Sequence, residues 1–236
     1  MRMMDCIHEW LIRNILWRCD SKQVDRYLRG RAKVFLKDRR RPVIDAPIND
    51  WQLQTLGLCP AGGLVQVEVI NDAIEIISYH PEFINSKIPI QIKLQVDISG
   101  DVFLYYDWVM LSTNIKGFGC VAFYRAAQVA QRLGISSVKL LAAGGAGYKY
   151  TWAEDSKFNG YHSWARFGFD ADLWPETILK IKEHPLLSAC TKLSQIIDID
   201  PGWWRDNGDG CEMVFDLRKD SGSWHTLQAY LKERQL

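Results

Sequence analysis

Val109-Met-Leu-Ser-Thr-Asn114-Ile-Lys-Gly117-Phe-Gly119-Cys-Val121 joins two segments of different periodicity. Before it, Val102–Leu111 reads Val-Phe-Leu-Tyr-Tyr-Asp-Trp-Val-Met-Leu, apolar on both faces, the pattern of a strand at the centre of a sheet. After it, residues 118–133 repeat apolar side chains at helical spacing. Ala122, Ala126, Val129, Ala130 and Leu133 form one stripe, and Arg125, Gln128 and Arg132 lie opposite. Gly134 follows, where a helix end favours positive φ. Val138-Lys-Leu-Leu-Ala-Ala143 then reads as a short buried strand. Strand, helix and strand in about 40 residues define a βαβ unit with a parallel strand pair.

The two glycines open the helix directly after the central strand. Helix-opening N–H groups lack intrahelical acceptors, and together with the positive end of the helix dipole they suit an anion such as a pyrophosphate. Lys116 would add charge. A tight turn with no ligand explains the local pattern equally well. The stretch is neither a Walker loop, since Gly-Lys-Ser/Thr is absent, nor a dinucleotide fingerprint, since Val121 or Ala122 stands where the third glycine belongs.

Upstream, the chain is rich in strands. Leu64–Ile70 alternates Val65, Val67 and Val69 with Gln66 and Glu68; Asn71-Asp72 connects it to Ala73–Tyr79. Gln91–Asp97 alternates again, and Ser99-Gly100-Asp101 turns into Val102–Leu111, so an antiparallel meander leads into the βαβ unit. The first 42 residues read as a helical arm. Ile7, Trp10, Leu11, Ile15 and Leu16 share a face over residues 4–18, and a second helix starting at Ser21 carries Val24, Tyr27, Leu28 and Phe35. Arg41-Pro42 ends it. Beyond Asp170 the expectation is helix over 176–199, a strand at Glu212–Asp216 and a final helix at Trp224–Glu233, with Trp203, Trp204 and Trp224 packing this part on the sheet.

Composition places the chain of 236 residues among ordinary globular proteins, 47% apolar and 24% charged. No apolar run approaches the roughly 20 residues needed to span a bilayer, and the start lacks a signal-peptide pattern. The six cysteines (6, 19, 59, 120, 190 and 211) show no paired spacing and the five histidines are dispersed. The expectation is reduced thiols, no metal, no membrane and a cytoplasmic location. A net charge of +1 conceals an asymmetry. Residues 1–41 hold 12 Lys/Arg and 5 Asp/Glu, a net of +7, leaving −6 for the rest. The basic arm culminates in Arg39, Arg40 and Arg41, either a solvated face or a contact for nucleic-acid phosphates.

Three motifs in this order resemble the GCN5-related N-acetyltransferase (GNAT) superfamily. Asn114-Ile-Lys-Gly117-Phe-Gly119 is similar to that family's Gln/Arg-x-x-Gly-x-Gly/Ala turn, Leu133-Gly134-Ile135 to its helix ending, and Trp164-Ala-Arg-Phe-Gly168-Phe169 to its Tyr-x-x-x-Gly-Phe. The resemblance covers roughly residues 64–170 and implies an α/β (α+β) fold: a GNAT-like mixed sheet in which the meander precedes a βαβ unit with splayed parallel strands. The expected organisation is a basic helical arm over 1–42 and an acyltransferase domain over 43–236 with a C-terminal extension.

The resemblance implies acetyl-CoA, or another acyl-CoA, as co-substrate and direct attack of an amine on the thioester. Its pyrophosphate would sit on backbone N–H groups around Asn114, Ile115, Lys116, Gly117, Phe118, Gly119 and Cys120, and its pantetheine arm along Val109, Met110 and Leu111. Three departures stand out: Leu111 replaces the usual strand proline, Trp164 replaces the tyrosine that often protonates the thiolate, and the stretch from Gly144 to Lys157 is longer than usual. An indole N–H releases no proton at neutral pH. Tyr161, three residues earlier and on the same helix face, is therefore the expected acid, and Asp107 the expected base acting through water. His162 and Ser163 point elsewhere on that helix. Glu154 and Asp155, in a long stretch after the second strand, would orient an amine or remain solvated. Cys120 reads as packing. Two other readings remain: a nucleic-acid-binding or -modifying protein on the same scaffold, and a catalytically inactive interaction module.

Overall fold

A computed structural model describes residues 27–36, 48–85, 87–111, 117–145 and 158–236. Within them the chain forms a mixed α/β structure with one seven-stranded sheet in sequential order. The strands are β1 (Lys33–Leu36), β2 (Leu64–Ile70), β3 (Ala73–Tyr79), β4 (Ile90–Val96), β5 (Val102–Trp108), β6 (Ser137–Gly145) and β7 (Asp209–Asp216). The described helices are α1 (Asp50–Leu56), α2 (Phe118–Arg132), α3 (Gly160–Arg166), α4 (Pro175–Ile181), α5 (Leu193–Ile199), α6 (Pro201–Asn207) and α7 (Gly222–Glu233).

The alternation seen in the sequence becomes a single buried sheet face because the register aligns it across strands. Val67 pairs with Ile76, Ile76 with Ile92, Ile92 with Tyr106, Tyr106 with Leu140 and Leu140 with Met213, all buried. Phe123 of α2 sits over this face, its ring 5.1 Å from Phe215 and 5.0 Å from Phe169. The opposite face carries Gln66, Glu75, Lys93, Lys139 and Glu212, none of them buried. A one-residue slip would exchange the two faces, so burial fixes the register.

β2 to β5 form an antiparallel meander, and β5-α2-β6 is a βαβ unit with β5 parallel to β6. β5 lies between β4 and β6. It ends at Trp108, three residues earlier than the sequence reading, because Leu111 bridges to Ile84 and Asn85 N–H donates to Met110 O. That detour takes Val109–Leu111 out of the sheet.

The N-terminal arm needs correcting. Residues 33–36 form strand β1, paired in parallel with Leu64–Val67, where a second helix was expected to carry Phe35. The helical turn at Tyr27–Arg29 stops at Gly30, where an added methyl would lie 2.3 Å from Ala61 Cβ. Buried Gln54 then holds the chain extended: its amide oxygen accepts from Ala32 N–H, and its amide nitrogen donates to Gly30 O and Cys59 O. Residues 4–18 and Arg39, Arg40 and Arg41 lie outside the described residues.

The expected helical stretch over 176–199 is α4 and α5 separated by turns, and α6 follows. Two of the three C-terminal tryptophans are buried as read, Trp204 and Trp224, with the Trp224 ring 5.3 Å from Phe215, whereas Trp203 is half-buried with its ring 6.2 Å from His184. Cys59, Cys120, Cys190 and Cys211 are free and buried. Among the described residues no helix is long and apolar enough to cross a membrane, and no group of three or more His, Cys, Asp or Glu would hold a metal ion.

Candidate functional site

β5 and β6 pair only from Phe103↔Ser137 to Tyr106↔Leu140. Beyond that point β6 continues to Gly145 beside β7, with a single bridge from Gly144 to Asn159 on its other edge, while β5 turns away. A β-bulge sets the divergence: Gln91 faces Trp108 and Ile92 faces Tyr106, so Asp107 is an extra residue on β5. Such a bulge bends its strand and ends regular pairing. The space opened between the strands is a cleft of about 640 Å³, within the range of small-molecule sites.

Neighbouring residues on one strand point to opposite sheet faces. Tyr105 and Tyr106, Asp107 and Trp108, and Leu140 and Leu141 all line the cleft, so it passes through the sheet and does not lie on one side of it. Val109, Met110 and Leu111 form one wall, and Phe118, Gly119 and Ala122 of α2 another. Phe158, Gly160, Ser163, Trp164 and Phe167, in and beside α3, close the third.

The N-terminus of α2 opens at this cleft. Gly117 is left-handed (φ 83°), no side chain among the described residues caps the helix and no acidic residue occupies its first turn. The helix-opening N–H groups and the dipole therefore present partial positive charge beside Gly119. A Cβ on Gly119 would lie 3.2 Å from Leu111 Cδ1, and one on Gly117 would lie 2.4 Å from Leu236 Cδ2. Cys120 is buried, and burial pushes its thiol up to about 12. It packs, as the sequence reading held. Asn114, Ile115, Lys116, Glu154 and Asp155 lie outside the described residues.

Of the expected catalytic pair, Asp107 lines the cleft, but its carboxylate forms an ion pair with Lys93 at 2.5 Å. The hydrogen bond to Asp107 raises the Lys93 ammonium above its ordinary range. Tyr161 is not among the residues lining the cleft. Its hydroxyl donates to Arg205 O at 2.5 Å, and burial followed by nearby Asp206 raises its phenol above the ordinary value. Tyr161 and Trp164 differ by three residues, about 60° short of a full helical revolution. On the seven-residue α3 that offset sends Trp164 inward and Tyr161 toward α6, whose Trp204 indole donates to Tyr161 O. His162 is half-buried and outside the cleft lining, with burial and Arg166 lowering its imidazole. Ser163, expected to point away, lines the cleft.

Tyr106 is the residue that sequence reasoning passed over. It is the last residue of β5 paired with β6, is only 2% exposed, and lines the cleft. Its ring stands edge-on to Phe123 (6.1 Å) and Trp164 (6.0 Å). Its hydroxyl is buried and has no hydrogen-bond partner among the described residues. Burial raises its phenol far above the ordinary value, so the hydroxyl keeps its proton throughout the physiological range. An unpaired buried hydroxyl costs about 1–3 kcal/mol. The signal in the sequence was a tyrosine at a buried parity position of the strand before the glycine turn.

A second hollow, of about 500 Å³, lies beside Lys33, Phe35 and His80. Both ring nitrogens of His80 are engaged with the backbone: Nδ1 accepts from Glu82 and Phe83 N–H, which leaves Nε2–H to donate to Ala61 O. Compared with known families and with curated proteins, the chain matches no family model and no curated sequence.

Proposed function

We propose that the chain is an acyl-CoA-dependent N-acyltransferase, with acetyl-CoA the expected donor. One observation carries this reading: the parallel pair β5 and β6 separates after Tyr106↔Leu140, and the resulting cleft meets a helix N-terminus opened by Gly117 and Gly119 and capped by no side chain among the described residues. A slender thioester fits such a through-sheet slot, and a pyrophosphate fits backbone N–H groups at its mouth. Bound acyl-CoA supplies the activated acyl group. Phe118, Trp164 and Phe167 give the slot apolar walls that exclude water, and Gly119 lets the ligand approach the backbone.

Calorimetric titration with acetyl-CoA should give saturable binding. Gly119→Asp, which sets a carboxylate against the positive helix end, should weaken it at least about tenfold. A folded protein that binds no acyl-CoA at millimolar concentration refutes the reading.

An inactive binding module is favoured by one observation: the Tyr161 hydroxyl is committed to Arg205 O, so the expected acid is not presented to the cleft. Release of free CoA thiol on mixing acetyl-CoA with a panel of amines decides between turnover and binding alone.

A further inference from the structure

Tyr106 combines three properties where it lines the cleft. It lies where the β5–β6 pairing stops, its buried hydroxyl has no partner among the described residues, and its ring is flanked by Phe123 and Trp164, which offer that hydroxyl no acceptor. A fold keeps a buried hydroxyl unpaired at a cost, and phenylalanine would fill the same space without it. The neighbouring positions of the buried face are Ile92 and Leu140, both apolar, so no polar cluster supports Tyr106 from the sheet.

We propose that Tyr106 Oη is the hydrogen-bond donor that recognises the carbonyl oxygen of the acyl group inside the cleft. This rests on the acyl-CoA reading above and deepens it: the site selects a ligand whose buried tip carries a hydrogen-bond acceptor. The donor comes from strand β5, and the helix α3 position occupied by Trp164 supplies an apolar wall. The hydroxyl is a binding determinant: it donates a hydrogen bond and transfers no proton.

The test uses the full chain, Tyr106→Phe, and two probes: acetyl-CoA and S-ethyl-CoA, which replaces the thioester carbonyl with a methylene. Wild type should bind acetyl-CoA about tenfold more tightly than S-ethyl-CoA, the scale of one buried hydrogen bond. Tyr106→Phe should reduce that ratio to about twofold or less, by weakening acetyl-CoA and sparing S-ethyl-CoA. The ligand-free variant should melt at the wild-type temperature or higher, because it loses a hydroxyl with no partner among the described residues. A preserved ratio overturns the assignment of Tyr106 while leaving the acyl-CoA reading intact. A fall of several degrees in the ligand-free melting temperature also overturns it, since the hydroxyl would then serve the fold. If wild type binds neither probe, both readings fall together.

Discussion

The hydroxyl of Tyr161 donates to the main-chain carbonyl of Arg205 at 2.5 Å, and the indole of Trp204 returns a bond to Tyr161 O at 3.1 Å. These two bonds tie α3 to α6 on a part of α3 that does not line the cleft. Tyr161→Phe should therefore cost about 1 kcal/mol of stability, the net worth of one partly exposed hydrogen bond, measured by urea unfolding. Its affinity for acetyl-CoA should equal that of wild type by calorimetry. A large loss of ligand affinity with unchanged stability would return Tyr161 to the site.

The Lys93–Asp107 pair gives a pH dependence with a definite sign. The Lys93 ammonium is raised, first by its hydrogen bond to Asp107. A raised lysine contributes stability that is fully present below its unfolded value and is lost as pH climbs through the folded value. Both side chains are about a third exposed (33% and 30%), so screening limits the contribution to about 0.5 kcal/mol. Lys93→Met should be less stable than wild type at pH 7 by about that amount. The difference should shrink above pH ~11, beyond the ordinary lysine range. Unfolding curves at the two pH values check it. A gap that widens in alkali would contradict the assignment.

The sheet was readable because its burial is one-sided: Val65, Val67, Ile92 and Leu94 alternate with polar residues, and alternation is the signal that sequence carries best. The helix after Gly117 was readable for the same reason, at a different period. β1 was not, since Lys33-Val-Phe-Leu is four residues long and the chain leading into it, Gly30 and Ala32, is held by Gln54 from another element. α1 was missed although Asn49 and Gln52 form a reciprocal capping box, a pattern visible in the sequence. The cleft was legible only as a turn. Its position depends on the Asp107 bulge and on where β5 stops pairing with β6, and neither follows from local pattern. Tyr106 was passed over because parity marks it only as one more buried strand residue, and that its hydroxyl has no partner among the described residues shows only in three dimensions.

Cys120 tests whether the helix N-terminus activates a thiol or burial silences it. A helix N-terminus lowers thiol values, whereas burial raises them. Here burial wins, and the thiol stands at about 12. At pH 8 Cys120 should resist iodoacetamide in the native protein and react once the protein is unfolded in guanidinium. Peptide mass mapping gives the readout. Fast native labelling at Cys120 would show an exposed thiolate and so a different packing of the α2 N-terminus.

Gly168 and Gly134 both take positive φ, 92° and 76°, but their surroundings differ. A methyl on Gly134 would meet nothing within 4 Å, whereas one on Gly168 would lie 2.3 Å from the backbone oxygen of Ser223. Gly134→Ala should therefore cost only the conformational term, about 1 kcal/mol. Gly168→Ala pays the same term and must also push the α3 exit away from the start of α7, for a total of about 3 kcal/mol. The displacement acts on Phe169, which is buried against Phe123, Trp164 and Phe215. Because Trp164 walls the cleft, Gly168→Ala should also weaken acetyl-CoA binding, and Gly134→Ala should leave it unchanged. Equal stability losses in the two variants would show that the approach of Gly168 to Ser223 does not position this end of α3.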